Sequence, residues 1–282
     1  MGEAGVEPAR LSAQDPKSCV SAGSTTRPDV GSEPSTREGK RPVPFQTFNL
    51  DEAAAYLHVP REALERLVKK EEIPFQRQGG RVIFRRGELD AWASQRILRL
   101  TGDRLEEYHR AASQGGLPET ASPEPLMPGL IRPEWMEPQL TSRTAVAVIR
   151  DMVQLAERTE QVCDPRELLE RIQEREALCS TALPGGLAVL HPRHHAPHLV
   201  LSSILVLGRT IQGIPFGAPD GGLTHLFFLL CCQEDRLHLK TLARLCTMVQ
   251  KTPLIERLEA AADGREMAAA LLDAEAMILR HL

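Results

Sequence analysis

The chain has 282 residues, enough for two domains, and 42% of them are hydrophobic, an ordinary share for a folded globular protein. Its formal net charge of −4 excludes nucleic-acid binding by global basicity, so such a partner must be met by a local patch. Six cysteines (Cys19, Cys163, Cys179, Cys231, Cys232 and Cys246) are scattered without C-x-x-C spacing, and three sit in apolar surroundings, which reads as reduced core thiols of a cytoplasmic protein rather than a disulfide framework. There is no apolar signal-like run at the start and no stretch approaching the roughly 20 apolar residues of a membrane span.

Residues 1–44 are rich in Ser, Pro, Gly and Glu and are expected to form a disordered tail, because they carry too little apolar surface to offset ordering entropy. From Phe48 the pattern changes. Asn49, followed three residues later by Glu52, predicts a capped helix start, and Ala53 to Leu57 continue that helix. Pro60 suits the start of a second helix, in which Ala63, Leu64, Leu67 and Val68 fall at helical spacing. The segment from Pro74 to Phe84 predicts a hairpin turning at Gly79-Gly80. Leu89, Trp92 and Ala93 mark a third helix. These elements define a first domain over 45–98, and residues 99–143 read as a linker with a short charged helix.

Beyond the linker the pattern predicts helices over 144–160 and 165–174, then strands over 187–191, 199–207 and 225–232. Helices follow over 236–250, 253–262 and 265–280. The run Leu226 to Cys231 has no polar face, which implies a strand covered by helices on both sides. The second domain, 144–282, is therefore α/β.

The order of helix, turn, helix, hairpin and helix resembles the excisionase-like winged helix-turn-helix family. The residues that carry the resemblance are Asn49 to Ala54, Leu57-His58-Val59, Ile73-Pro74, Arg77 to Arg81 and Glu88 to Trp92. It implies that the second helix enters a major groove while the wing holds phosphates. Between Phe48 and Leu98 there are nine Lys/Arg and eight Asp/Glu, so the charge argument rests on position. The candidate DNA-binding residues are Arg61, Arg66, Lys69, Lys70, Arg77, Arg81, Arg85 and Arg86. Glu62 and Glu65 on the same helix oppose phosphate, and a protein ligand remains the alternative.

In the second domain, a short apolar run, Leu187 to Leu190, presents His191 at a strand end. Arg175 lies sixteen residues upstream, and His238 sits in Leu237-His238-Leu239-Lys240-Thr241-Leu242. With Ile214-Pro215-Phe216 and Ala218 to Gly221, these segments resemble the phosphotransferase system IIA domain of type 2, the fructose, mannitol and nitrogen type. The resemblance implies a mixed sheet flanked by helices. It also implies His191 as phosphoryl acceptor, Arg175 and His238 as its partners, and Ser180 and Thr181 as hydrogen-bond donors from the preceding loop. A phosphoryl acceptor of this kind needs a fixed imidazole tautomer and donors for the phosphoryl oxygens, and no metal or cofactor. The phosphocarrier histidine protein is the implied donor, and duplex DNA is the implied partner of the first domain.

Two departures from the family pattern stand beside the histidine: Leu190 replaces a proline, and Pro192 replaces a glycine. Pro192 removes one backbone N–H after the acceptor. The chain continues with His194, His195 and His198, but Pro192 and Pro197 forbid one regular helix that aligns them as metal ligands. His58 and His225 read as structural. The segment Leu130 to Met136 carries apolar side chains in a proline-rich stretch and is the candidate contact to the His191 pocket, with Arg132 facing it. The reading is a bacterial two-domain regulator; its alternative is an adaptor whose IIA domain no longer takes a phosphoryl group.

Overall fold

Asn49 opens the first helix through a reciprocal cap. Its side chain accepts from the Glu52 amide at 2.9 Å, and Glu52 accepts from the Asn49 amide at 2.8 Å. The computed structural model describes residues 47–114, 124–194 and 196–280; the tail expected over 1–44 and residue His195 lie outside the described residues. The first module comprises β1 (Thr47–Phe48), α1 (Leu50–Tyr56), α2 (Arg61–Lys69), β2 (Gln76–Gln78), β3 (Arg81–Arg85) and α3 (Arg86–Ile97). Gly79 and Gly80 turn the β2–β3 hairpin with φ of 57° and 78°, values that side-chain-bearing residues rarely adopt. Strand β1, too short to read from periodicity, pairs antiparallel with β3 on the side away from β2.

The remaining elements are α4 (Gly102–Gln114), α5 (Met127–Leu130), β4 (Met136–Leu140), α6 (Ala145–Glu157), α7 (Pro165–Leu178), β5 (Ala182–Leu183), β6 (Leu187–Leu190), β7 (Ile204–Pro215), β8 (Leu223–Cys231), α8 (Asp235–Lys251), α9 (Leu254–Ala260) and α10 (Gly264–Leu279). They build a five-stranded mixed sheet in the order β4-β7-β8-β6-β5. β6 runs parallel to β8, β4 runs parallel to β7, and β7 and β8 form a long antiparallel hairpin. The α/β class and the mixed sheet flanked by helices are as expected.

The strand expected over 199–207 lies further on, from Ile204 to Pro215. Backbone at 199–201 pairs instead with the loop after α6, through Cys163 N to Leu199 O and Leu201 N to Gln161 O. Those bonds hold the preceding segment off the sheet.

Residues 99–143 are more than a linker. Met136–Leu140 forms the sheet edge against β7, and α4 packs along α8. A buried polar network fixes α4 there. Arg244 donates to His109 Nε2 at 2.7 Å, to Glu275 Oε1 at 2.7 Å and to Ser113 Oγ at 3.1 Å. Glu275 also accepts from the amides of Leu126 and Met127. Charged and polar residues in a helix read as a solvated face, and only tertiary packing reveals that His109 and Ser113 are inside.

Along β8 the pleat divides the apolar run between two cores. Leu226, Phe228 and Leu230 face one cluster with α8 and α10; Phe227, Leu229 and Cys231 face the other with α6 and α7. β6 divides in the same way, with Leu187 and Val189 on the α8 side. The apolar interior of the first module runs into that same α8-side cluster through Ile97, Leu98 and Leu105.

Candidate functional site

His191 follows β6 directly, and its parity with Leu187 and Val189 directs it toward α8. Its ring is 1% exposed. Nδ1 lies 2.9 Å from the carbonyl oxygen of Val189. A carbonyl can only accept, so Nδ1 carries the proton and Nε2 keeps its lone pair. Arg175, at the last turn of α7, donates its Nε–H to that Nε2 at 3.3 Å. Its other arm donates to the Cys179 carbonyl at 2.7 Å, which fixes the guanidinium plane. Burial, with His238 and Arg175 nearby, pushes the His191 pKa well below its ordinary value. The ring is therefore neutral at physiological pH, with Nε2 unprotonated.

His238 completes the cluster from the first turns of α8. Its ring centroid lies 5.2 Å from that of His191, with the planes tilted by 53°. The three residues singled out as site candidates, from α7, the end of β6 and α8, thus come together in one cluster.

The Ser180 and Thr181 hydroxyls, expected as phosphoryl donors, are engaged within the protein in this structure. The Thr181 hydroxyl donates to Glu176 at 2.7 Å, and the same carboxylate accepts from the Thr181 amide. The Ser180 hydroxyl donates to the Phe216 carbonyl. Both hydroxyls hold the loop between α7 and β5 in place, which leaves Arg175 at its end correctly aimed. Gly217, with φ of 77°, lets the backbone pass Ser180 closely; a Cβ there would lie 3.2 Å from Ser180 Cβ.

Sequence reasoning missed the residues that close the pocket, because they come from α3 of the first module. Ser94 Oγ lies 3.2 Å from His238 Nε2. The Arg86 guanidinium pairs with the buried carboxylate of Asp235, at the start of α8. The Gly87 carbonyl lies 3.1 Å from His194 Nδ1, so that nitrogen donates to it. Just beyond α3, Arg99 reaches the Cys179 sulfur at 3.1 Å. Asp90, which accepts from the Tyr56 hydroxyl, lines one small cavity with Ser94, Pro192, His194, Asp235 and His238. The available signal was the polar pair Asp90 and Ser94 on the same helix face as Leu89, Ala93 and Ile97. Nor is the pocket reached by the segment expected to touch it: Arg132 donates to the carbonyls of Pro128 and Ile131, and Trp135 packs against the α6-side core.

The candidate DNA-binding residues separate into groups. Arg66, Lys69 and Lys70 on α2 and Arg77 and Arg81 on the wing are exposed. Arg61 pairs with Asp51 and Glu65, and Arg85 with Glu88, so their charge is partly balanced within the module. Arg86 does not belong with the wing surface, since it is held against Asp235. Of the later histidines, His198 faces Glu167 at 3.2 Å, while His194 is held by Gly87. Among the described residues, no helix is long and apolar enough to cross a membrane.

A buried imidazole with a fixed tautomer, an arginine on its free nitrogen and a second histidine beside it define a histidine-presenting α/β domain, here joined to a winged helix-turn-helix module. Residues 130–274 match the family described as phosphoenolpyruvate-dependent sugar phosphotransferase system, EIIA 2, and the chain belongs to that family. Residues 47–97 match a helix-turn-helix domain. The PTS system fructose-specific EIIABC component of Bacillus subtilis (strain 168) is 26% identical over 121 residues; the match covers 42% of this chain and only 19% of that protein. Nitrogen regulatory protein IIA-Ntr from Neisseria meningitidis is 25% identical, with a TM-score of 0.46 over 51% of this chain and 97% of that one. IIA mannitol from Escherichia coli is 22% identical, with a TM-score of 0.45 over 50% and 98%.

Proposed function

We propose that the chain is a regulator whose His191 accepts a phosphoryl group from a phosphorylated histidine of a carrier protein, and whose helix-turn-helix module binds duplex DNA. The observation that carries the first half is the tautomer of His191. With Nδ1–H tied to the Val189 carbonyl, Nε2 is unprotonated, and its lone pair becomes available for in-line attack once the Arg175 Nε–H it accepts turns to the incoming phosphoryl oxygens. The bond from phosphorus to the carrier's imidazole nitrogen breaks as the bond to Nε2 forms, and the carrier nitrogen leaves with the electron pair. No general base is needed, because Nε2 is already unprotonated. Arg175 has a planar donor fork at the same nitrogen, suited to the equatorial phosphoryl oxygens, and His238 supplies a further donor. The positive charge that develops on the ring is stabilised by the Nδ1–H bond to the carbonyl.

The DNA half rests on exposed cations at the end of α2 and the tip of the wing: Arg66, Lys69, Lys70, Arg77 and Arg81. Their exposure and charge support contacts to backbone phosphates flanking a groove. An adaptor that takes no phosphoryl group is the other reading; Pro192, which lacks an N–H beside the acceptor, favours it. Incubation of the purified chain with phosphoenolpyruvate, enzyme I and the phosphocarrier histidine protein separates the two. The first reading predicts an acid-labile, alkali-stable phosphoryl adduct, and the adaptor predicts none.

A further inference from the structure

We propose that the face of the α/β domain around His191 is a docking surface for the chain's own helix α3, and that α3 and a phosphoryl carrier exclude one another on it. The inference rests on the phosphoacceptor reading above and adds how access to that site is controlled. Four contacts place α3 and its C-terminal extension there. Arg86 pairs with Asp235, the Gly87 carbonyl accepts from His194, Ser94 bonds His238, and Arg99 reaches Cys179. Gly87 makes the close approach feasible: a Cβ at that position would lie 3.3 Å from His194 Nδ1. The cavity left between Asp90 and Ser94 of α3 and the facing residues of the α/β domain is about 30 Å³, room for only a few waters.

A carrier must bring its phosphohistidine into line with Nε2 of a ring that is 1% exposed, and α3 and its extension sit on His238 and on Cys179, the neighbours of that ring and of Arg175, so we take α3 to leave first. One further feature sets α3 against the phosphorylated state. Ser94 occupies on His238 Nε2 a hydrogen-bonding position that a phosphoryl oxygen needs. A phosphoryl group that takes that bond therefore holds α3 off after transfer, and the helix-turn-helix module is released from the domain that was carrying it. Phosphorylation and docking are reciprocal: what disfavours one favours the other.

The test uses the full chain in three forms: wild type, Gly87→Gln as a wedge against His194, and Gly87→Cys/His194→Cys as a disulfide lock. Two readouts are taken. The first is the rate at which diethyl pyrocarbonate modifies His191, mapped by mass spectrometry, which reports access without any phosphotransfer. The second is the rate of phosphorylation by the phosphorylated carrier. Docking predicts that the wedge raises both rates about tenfold, because each rate scales with the open fraction. The oxidised lock suppresses both, and reduction restores them. Equal modification of His191 in all three forms overturns the docking. The expected modification pattern with no phosphorylation of any form leaves the docking standing and refutes the phosphoacceptor reading instead.

Discussion

Ser94 and His238 stand 144 residues apart in sequence, yet the serine hydroxyl meets the histidine Nε2 at 3.2 Å. This bond joins a helix of the DNA-binding-type module to the first turns of α8, beside the candidate phosphoacceptor. Ser94 is 3% exposed, and its loss removes that partner from the part-buried His238 nitrogen. Ser94→Ala should loosen the docking of α3 by about 1 kcal/mol, the usual net worth of such a bond. Hydrogen exchange of the α3 amides is the direct measurement, and protection unchanged from wild type would contradict the prediction.

Arg175 is expected to act on the transition state rather than on ring placement alone. Arg175→Lys keeps a charge but loses the planar fork, and the phosphotransfer rate should fall about 100-fold. Thermal unfolding should move little, since a lysine can still reach the Cys179 carbonyl. A large loss of Tm with little change in rate would assign Arg175 a purely structural role.

The buried Arg244–Glu275 pair sets a stability prediction. Glu275→Ala strands the guanidinium and the amides of Leu126 and Met127, and should destabilise the chain by about 3–5 kcal/mol. Replacing both partners, as Arg244→Met with Glu275→Leu, should recover much of that loss. Urea unfolding distinguishes the outcomes; equal midpoints for Glu275→Ala and wild type would show that the network carries no net stability.

His109 gives the chain a pH dependence. Burial and the neighbouring Arg244 push its pKa down to about 3, because its Nε2 must stay unprotonated to accept from Arg244. The unfolded chain binds a proton near pH 6.5, where the folded chain does not, so stability falls as pH drops below that value. Between neutral pH and about pH 5 this histidine alone should cost about 2 kcal/mol. His191, lowered in the same direction by burial, adds to the trend. His109→Gln, which keeps an acceptor for Arg244, should flatten the urea-midpoint profile; an unaltered slope would remove His109 as its source.

On the first module, neutralising Lys69, Arg77 and Arg81 together should abolish duplex binding. In wild type, log affinity should fall with log salt at a slope of about −2 to −4, set by a few phosphate contacts. Arg86→Ala should leave that slope unchanged, since its guanidinium is engaged by Asp235. Binding that is insensitive to salt, or lost with Arg86 alone, would place the interface elsewhere.

These predictions mix what was legible in the sequence with what was not. Asn49 and Glu52, the Gly79-Gly80 turn and the apolar run of β8 act through local rules, and each element formed where those rules placed it. That His191, Arg175 and His238 lie together was legible only through family resemblance, because they are far apart in sequence and no local rule joins them. Their closure by α3 was not: Arg86 read as part of the wing, and Asp90 and Ser94, although they share the apolar face of α3, do not say which surface that face meets. β4 was hidden for a similar reason: Met136–Leu140 contains a proline and a glutamate, which an edge strand tolerates but a strand pattern does not announce. Ser180 and Thr181 had the right chemistry for phosphoryl contact, and only the positions of Glu176 and Phe216 show where their hydroxyls go.

The claim at the centre of this account is that Nε2 of His191 is the nucleophile. The most direct measurement is a long-range proton–nitrogen correlation spectrum of the histidine-labelled chain, recorded before and after phosphorylation by the phosphorylated carrier. The account predicts a neutral His191 with its proton on Nδ1 before transfer, and phosphorus attached to Nε2 of that ring afterwards. A phosphoryl group on Nδ1, on His194 or on His238 would contradict it.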